Sequence, residues 1–225
     1  FYLVGAALPS SCAIIAVLVF EGWAGLRRLI QRSLAWRFSP FWYLAAILIP
    51  FGVKGTIAMM AMALAGATMP QHWFVPAFGP GFLLFFLIYN GFGEEIGWRG
   101  LALPVLQHQL GALGGNIAVG VIWALWHLPL FWLRGSYQYG DSILLFVLLL
   151  TCWSIIMGML VNKCGGSILV AILFHESANF IAFTLRLPGS PYGYIVWVLA
   201  AVLAIWFLPR PYFRPTWKVG WGSGR

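Results

Sequence analysis

Charge is scarce in this chain: 8% of its 225 residues are charged, and five of these are acidic. Soluble domains carry about a quarter charged residues, so a soluble globular fold is excluded. With 62% hydrophobic residues and a mean hydropathy of +0.90, the chain reads as a polytopic membrane protein. Period-two alternation, the mark of a membrane barrel, is missing, so the spans are expected to be helical. Paired cysteines are missing too. Cys12, Cys152 and Cys164 are far apart and form no CxxC, which leaves them as packing residues. There is no GxSxG nucleophile elbow. His175-Glu176-Ser177-Ala178-Asn179 has asparagine where HExxH has its second histidine, and an amide is a poor zinc ligand. Neither a soluble domain nor an internal repeat is visible, so residues 1–225 read as one transmembrane domain.

What is present is a succession of apolar runs, at 3–20, 41–66, 80–106, 113–133, 142–161, 167–185 and 192–208. The expected architecture is an all-α bundle of about seven transmembrane spans, or eight if one precedes residue 1. The first run lacks a basic flank and is too long for a cleavable signal, so it counts as a span. Residues 21–40 read as a loop holding Arg27, Arg28, Arg32 and Arg37, and the C-terminal tail after residue 208 holds Arg210, Arg214, Lys218 and Arg225. By the positive-inside rule both lie in the cytoplasm and residue 73 lies outside. The net charge of +8 is explained by this topology, and no nucleic-acid partner is called for.

The stretch that breaks the pattern is Gly91-Phe92-Gly93-Glu94-Glu95-Ile96-Gly97-Trp98-Arg99-Gly100. It sets three charged side chains into an apolar span, which on insertion scales opposes burial by up to about 8–10 kcal/mol. Glu95 and Arg99 stand at i and i+4 and can pair, while Glu94 is left without a charge partner in its own motif. The glycines let neighbouring helices approach closely. A buried pair that only fixes packing is the plainer alternative, but further polar groups sit in other spans: Trp123 and His127, then His175 and Asn179. Each needs a partner in an apolar medium, and convergence on one cavity supplies them all.

Such a cavity suits hydrolysis of a carbonyl by water. A desolvated glutamate acts as general base, a histidine shares the proton or orients the water, and an asparagine amide with a second histidine donates to the developing oxyanion. The same residues are also compatible with a zinc site on Glu94, His127 and His175, which would turn the water into a bound hydroxide.

Glu94-Glu95-x-x-x-Arg99, Trp123-x-x-x-His127 and His175-x-x-x-Asn179, in this order on three spans, resemble the motifs of the CPBP family of CAAX proteases and bacteriocin-processing enzymes, which includes the type II CAAX prenyl endopeptidases. The resemblance covers a catalytic core of about residues 80–185. It implies an intramembrane endopeptidase in which Glu94 activates water beside His127, Arg99 holds Glu95, and His175 and Asn179 stabilise the oxyanion. The family is described both as metal-dependent and as glutamate-dependent; a divalent metal such as zinc would sit between Glu94, His127 and His175. The implied partners are a membrane-associated peptide or protein, of prenylated CAAX type or otherwise, and the bilayer itself. The expected location is a bacterial cell membrane, with the site opening toward its cytoplasmic half. Trp123 stands where the family motif usually has Phe. The rival from another class is a non-catalytic membrane binding or transport protein, of bacteriocin-immunity type, that uses the same polar cavity.

Overall fold

The structure is a computed structural model describing residues 2–74, 84–85, 87–190 and 192–206. The tail after residue 208, part of the turn before the third run and the start of that run lie outside the described residues. The described chain is helical, with one isolated bridge between Phe74 and Leu185. Its helices are α1 (Tyr2–Ser33), α2 (Pro40–Ala65), α3 (Leu87–Trp126), α4 (Ile143–Lys163), α5 (Leu169–Thr184) and α6 (Gly193–Trp206). Four of them, α1 to α4, are long and apolar enough to cross a bilayer. At about 1.5 Å per residue, α5 and the described part of α6 reach about 24 and 21 Å, short of a hydrocarbon core of about 30 Å.

Two of the long helices turn back on themselves at a glycine. Gly111 takes a left-handed φ of 72°, and a Cβ placed on Gly115 would lie 2.6 Å from the backbone nitrogen of Gln107. In a straight helix those residues would be about 12 Å apart, so α3 is a hairpin whose two arms lie side by side. At Gly22 (φ 64°) α1 bends as sharply, and a Cβ on Gly25 would meet the side chain of Val17 at 2.9 Å. Residues 21–33, expected as loop, are thus a second helical arm. The fourth run also ends earlier than its apolar composition suggests. Pro129 cannot continue the hydrogen-bond ladder, so the α-helix stops at Trp126 and a 3₁₀ turn follows at Leu128–Phe131.

The main core packs α4 against the second arm of α3, α5 and α6, around Trp123, Ile156, Met157, Leu160, Phe174 and Trp197. The outward faces stay apolar: Val19, Phe20, Trp23, Leu144 and Trp206 are all exposed, as lipid-facing residues would be.

The bundle has two distinct ends. At one, Arg32 of α1 donates from Nη1 to the carbonyl of Gly100 (2.9 Å), from Nη2 to that of Arg99 (3.1 Å) and from Nε to that of Gly166 (3.0 Å). Ser167 Oγ there donates to Ala35 O, and Lys163 lies over the Trp42 ring. At the other end, Arg186 N donates to Trp73 O, and Tyr137 packs on Phe183.

Candidate active site

The site is built where the first arm of α3 departs from α-helical winding. Leu87–Phe92 and Ile96–Ala102 are π-helical, on either side of the three α-helical residues Gly93–Glu95. Widened turns of this kind concentrate at functional sites because they re-aim side chains along a helix. Here α1 holds the widening in place. Ser10 Oγ donates to Phe92 O (2.7 Å) and accepts from Gly97 N (3.2 Å). The backbones come so close that a Cβ on Gly93 would lie 2.8 Å from Ala6 O, and one on Gly97 only 2.4 Å from the carbonyl carbon of Pro9.

Glu95 and Arg99 are both fully buried and pair across one turn. Arg99 Nη1 donates to Glu95 Oε1 (3.0 Å) and lies 2.9 Å from Oε2. The same Oε1 accepts from Nδ1 of His175 on α5 (2.9 Å). The guanidinium carbon of Arg99 sits 4.5 Å from the centre of the Trp123 ring, a cation–π contact that covers the rest of the charge. Trp123, 1% exposed, turns its other edge to the second carboxylate: its Nε1 donates to Glu94 Oε2 at 2.7 Å. A phenylalanine at 123 has no N–H to give, so the exchange from the motif's usual residue bears directly on Glu94. The hairpin makes this contact possible, since a straight helix would separate residues 94 and 123 by about 44 Å.

His127 caps the end of α3. Its Nδ1 lies 2.8 Å from the carbonyl of Trp123, which can only accept, so Nδ1 carries the proton and Nε2 keeps a lone pair. Glu94 and His127 both line a cavity of about 330 Å³, closed by apolar groups from Leu8, Trp126, Leu130 and Leu133 and by Asn90. Its lining comes from the beginning of α1, the start of α3 and the turn after Trp126. That lining lies away from the end of the bundle marked by Arg32 and Lys163.

Of the six candidate residues, the structure joins Glu95, Arg99 and His175 in one hydrogen-bonded cluster and Glu94 and His127 on one cavity wall. Trp123 touches both groups, with its ring 5.1 Å from that of His175 and 6.1 Å from that of His127. Asn179 stands apart: its Nδ2 donates to Glu176 Oε1 at 3.4 Å, and it does not line the cavity. Among the described residues no three His, Cys, Asp or Glu side chains are placed to hold one metal ion. The grouping of Glu94, His127 and His175 considered for zinc is thus not assembled, as His175 is turned to Glu95.

Sequence reasoning passed over three contributors: Asn90 shares the cavity wall, Ser10 fastens the widened turns and Arg32 holds the carbonyls of Arg99 and Gly100. Trp123 was counted among the polar groups, but not as the donor to Glu94. Only Asn90 carried a usable signal, being a polar residue one helical turn before Glu94.

Residues 75–181 match the family model described as type II CAAX prenyl endopeptidase Rce1-like, a stretch that contains all six candidate residues. Over 165 residues, 69% of this chain, the sequence is 33% identical to the CAAX prenyl protease 2 of Methanococcus maripaludis. The match takes in 57% of that relative's length.

Proposed function

We propose, for a chain that belongs to the Rce1-like family of type II CAAX prenyl endopeptidases, an endopeptidase activity within the membrane that hydrolyses a peptide bond of a membrane-associated substrate. The observation that carries this reading is the meeting of Glu94 and His127 on one largely apolar cavity wall. Trp123 occupies Oε2 of Glu94, leaving Oε1 for a water; His127 offers the Nε2 lone pair to the same water's second hydrogen. Attack on the scissile carbonyl passes the water's proton to Glu94. That proton then goes to the departing amine as the carbon–nitrogen bond breaks, and the water's second proton, held toward Nε2 of His127, leaves the new carboxylic acid for the amine, giving a carboxylate and an ammonium terminus.

Glu95, Arg99 and His175 act behind this pair. They fix the α3 turn and α5 on either side of Trp123, which in turn aims Glu94. His175 retains its second ring nitrogen for the reacting groups. Asn179 serves as an oxyanion donor by giving up its contact to Glu176, which at 3.4 Å is long for a hydrogen bond.

The apolar lining suits a lipidated peptide, and a prenylated CAAX-type sequence is the substrate class we put forward. Seven crossings follow when the arms of the α3 hairpin are counted separately together with the first arm of α1, α2, α4, α5 and α6. The basic end, with Arg27, Arg28, Arg32, Arg37 and Lys163, then faces the cytoplasm with the C-terminal tail. On that orientation the cavity opens in the opposite half of the bilayer.

The test is a screen of matched peptides, with and without a prenyl group, against detergent-purified protein, read by mass spectrometry. Cleavage of the prenylated member supports the reading. Specific binding of a peptide without cleavage would instead favour a non-catalytic binding protein.

A further inference from the structure

We propose that Asn90 is a further catalytic residue, whose side-chain amide donates a hydrogen bond to the oxygen of the scissile carbonyl. This rests on the endopeptidase reading above. Asn90 is 8% exposed and lines the cavity it shares with Glu94 and His127. Among the described residues its amide has no hydrogen-bond partner. With no protein partner, the amide is open to the cavity and bonds whatever the cavity holds. What it can reach is the content of the cavity.

Its backbone is held from two sides. A Cβ on the neighbouring Gly91 would lie 2.8 Å from Ile172 of α5, and the carbonyl of Phe92 is bound by Ser10 of α1. A donor on so fixed a turn needs little rearrangement when charge develops on a nearby oxygen, which is what oxyanion stabilisation requires. Position and chemistry agree. Asn90 precedes Glu94 by four residues in the widened helix, so the two project to one side, the carboxylate toward water and the amide toward the carbonyl that water attacks. The amide already in the cavity is that of Asn90, whereas the amide of Asn179 is engaged by Glu176.

The experiment compares wild type, Asn90→Ala, Asn90→Asp, Glu94→Gln and the Asn90→Ala/Glu94→Gln double variant as full chains in lipid vesicles, with a prenylated CAAX reporter peptide. Asn90→Ala should lower kcat by about 10² to 10³ while KM changes little. Asn90→Asp keeps the shape without the donor and should do no better. The double variant should lose far less than the product of the two single losses. Melting of Asn90→Ala should match wild type, because no protein partner is lost. Wild-type kcat in Asn90→Ala beside an inactive Glu94→Gln would overturn this proposal and leave the endopeptidase reading standing. So would a rise in KM alone, or a lowered melting temperature, which would mark the amide as structural. A wild type that cleaves nothing, or a fully active Glu94→Gln, would remove both.

Discussion

Replacing Glu95 by leucine removes the acceptor shared by Arg99 and His175 while roughly conserving volume, so the loss reports on charge rather than on a cavity. Arg99 would be left fully buried with no carboxylate in contact, a class of change that costs about 3–5 kcal/mol. The Nδ1–H of His175 would lose its partner as well, and because both donors share one carboxylate the two losses do not simply add. At about 2–4 °C per kcal/mol for a chain of this length, the melting temperature should fall by about 6–20 °C. Thermal unfolding in detergent, followed by intrinsic fluorescence, reads this directly in a protein with 13 tryptophans. Glu95→Leu/Arg99→Leu should recover most of the loss, since an uncharged pair leaves no buried charge, but the part due to His175 should remain. A single Glu95→Leu variant that melts with wild type would refute the argument that this ion pair holds the α3 turn.

Trp123→Phe deletes the N–H bonded to Glu94, and a hydrogen bond to a charged acceptor is worth about 1.5–3 kcal/mol, so stability should fall measurably and Glu94→Gln should blunt the effect of the substitution. Gly97→Ala drives a Cβ to 2.4 Å from the Pro9 backbone and should destabilise by about 1–3 kcal/mol, whereas Gly52→Ala, inside α2 with nothing within 4 Å, should be neutral or stabilise by up to about 1 kcal/mol; equal melting of the two would deny the close contact of α1 with the motif. Single cysteines introduced at residues 30 and 215 should react with an impermeant thiol reagent only from the cytoplasmic side, and those at residues 73 and 133 only from the other. Labelling of residue 133 from the cytoplasm would reverse the orientation given to the cavity.

The helical membrane class was legible because apolar composition and the absence of alternation leave few other solutions. The Glu95–Arg99 pair was legible because an i, i+4 spacing acts through one helix. The reversal near Gly111 was signalled by the polar residues Gln107 to Gln109 between two apolar runs. The remaining features depend on residues far apart in sequence. The π-helical winding of the motif is fastened by Ser10, more than eighty residues upstream, and no local pattern announces it. Arg32 looks like one more topological charge, yet it binds three carbonyls. Trp123 looks like an aromatic exchange until its N–H is found on Glu94. The early end of α3 at Trp126 was concealed by an apolar run that continues past Pro129.

The central claim is that Glu94 activates water for peptide hydrolysis, and its most direct measurement is the initial rate at which wild type and Glu94→Gln, reconstituted in lipid vesicles, cleave one prenylated CAAX peptide. The amide keeps the shape of the side chain and an oxygen for the Trp123 N–H but takes no proton, so the rate should fall by about 10² to 10⁴ or more with melting unchanged. Equal rates from the two proteins would contradict the account.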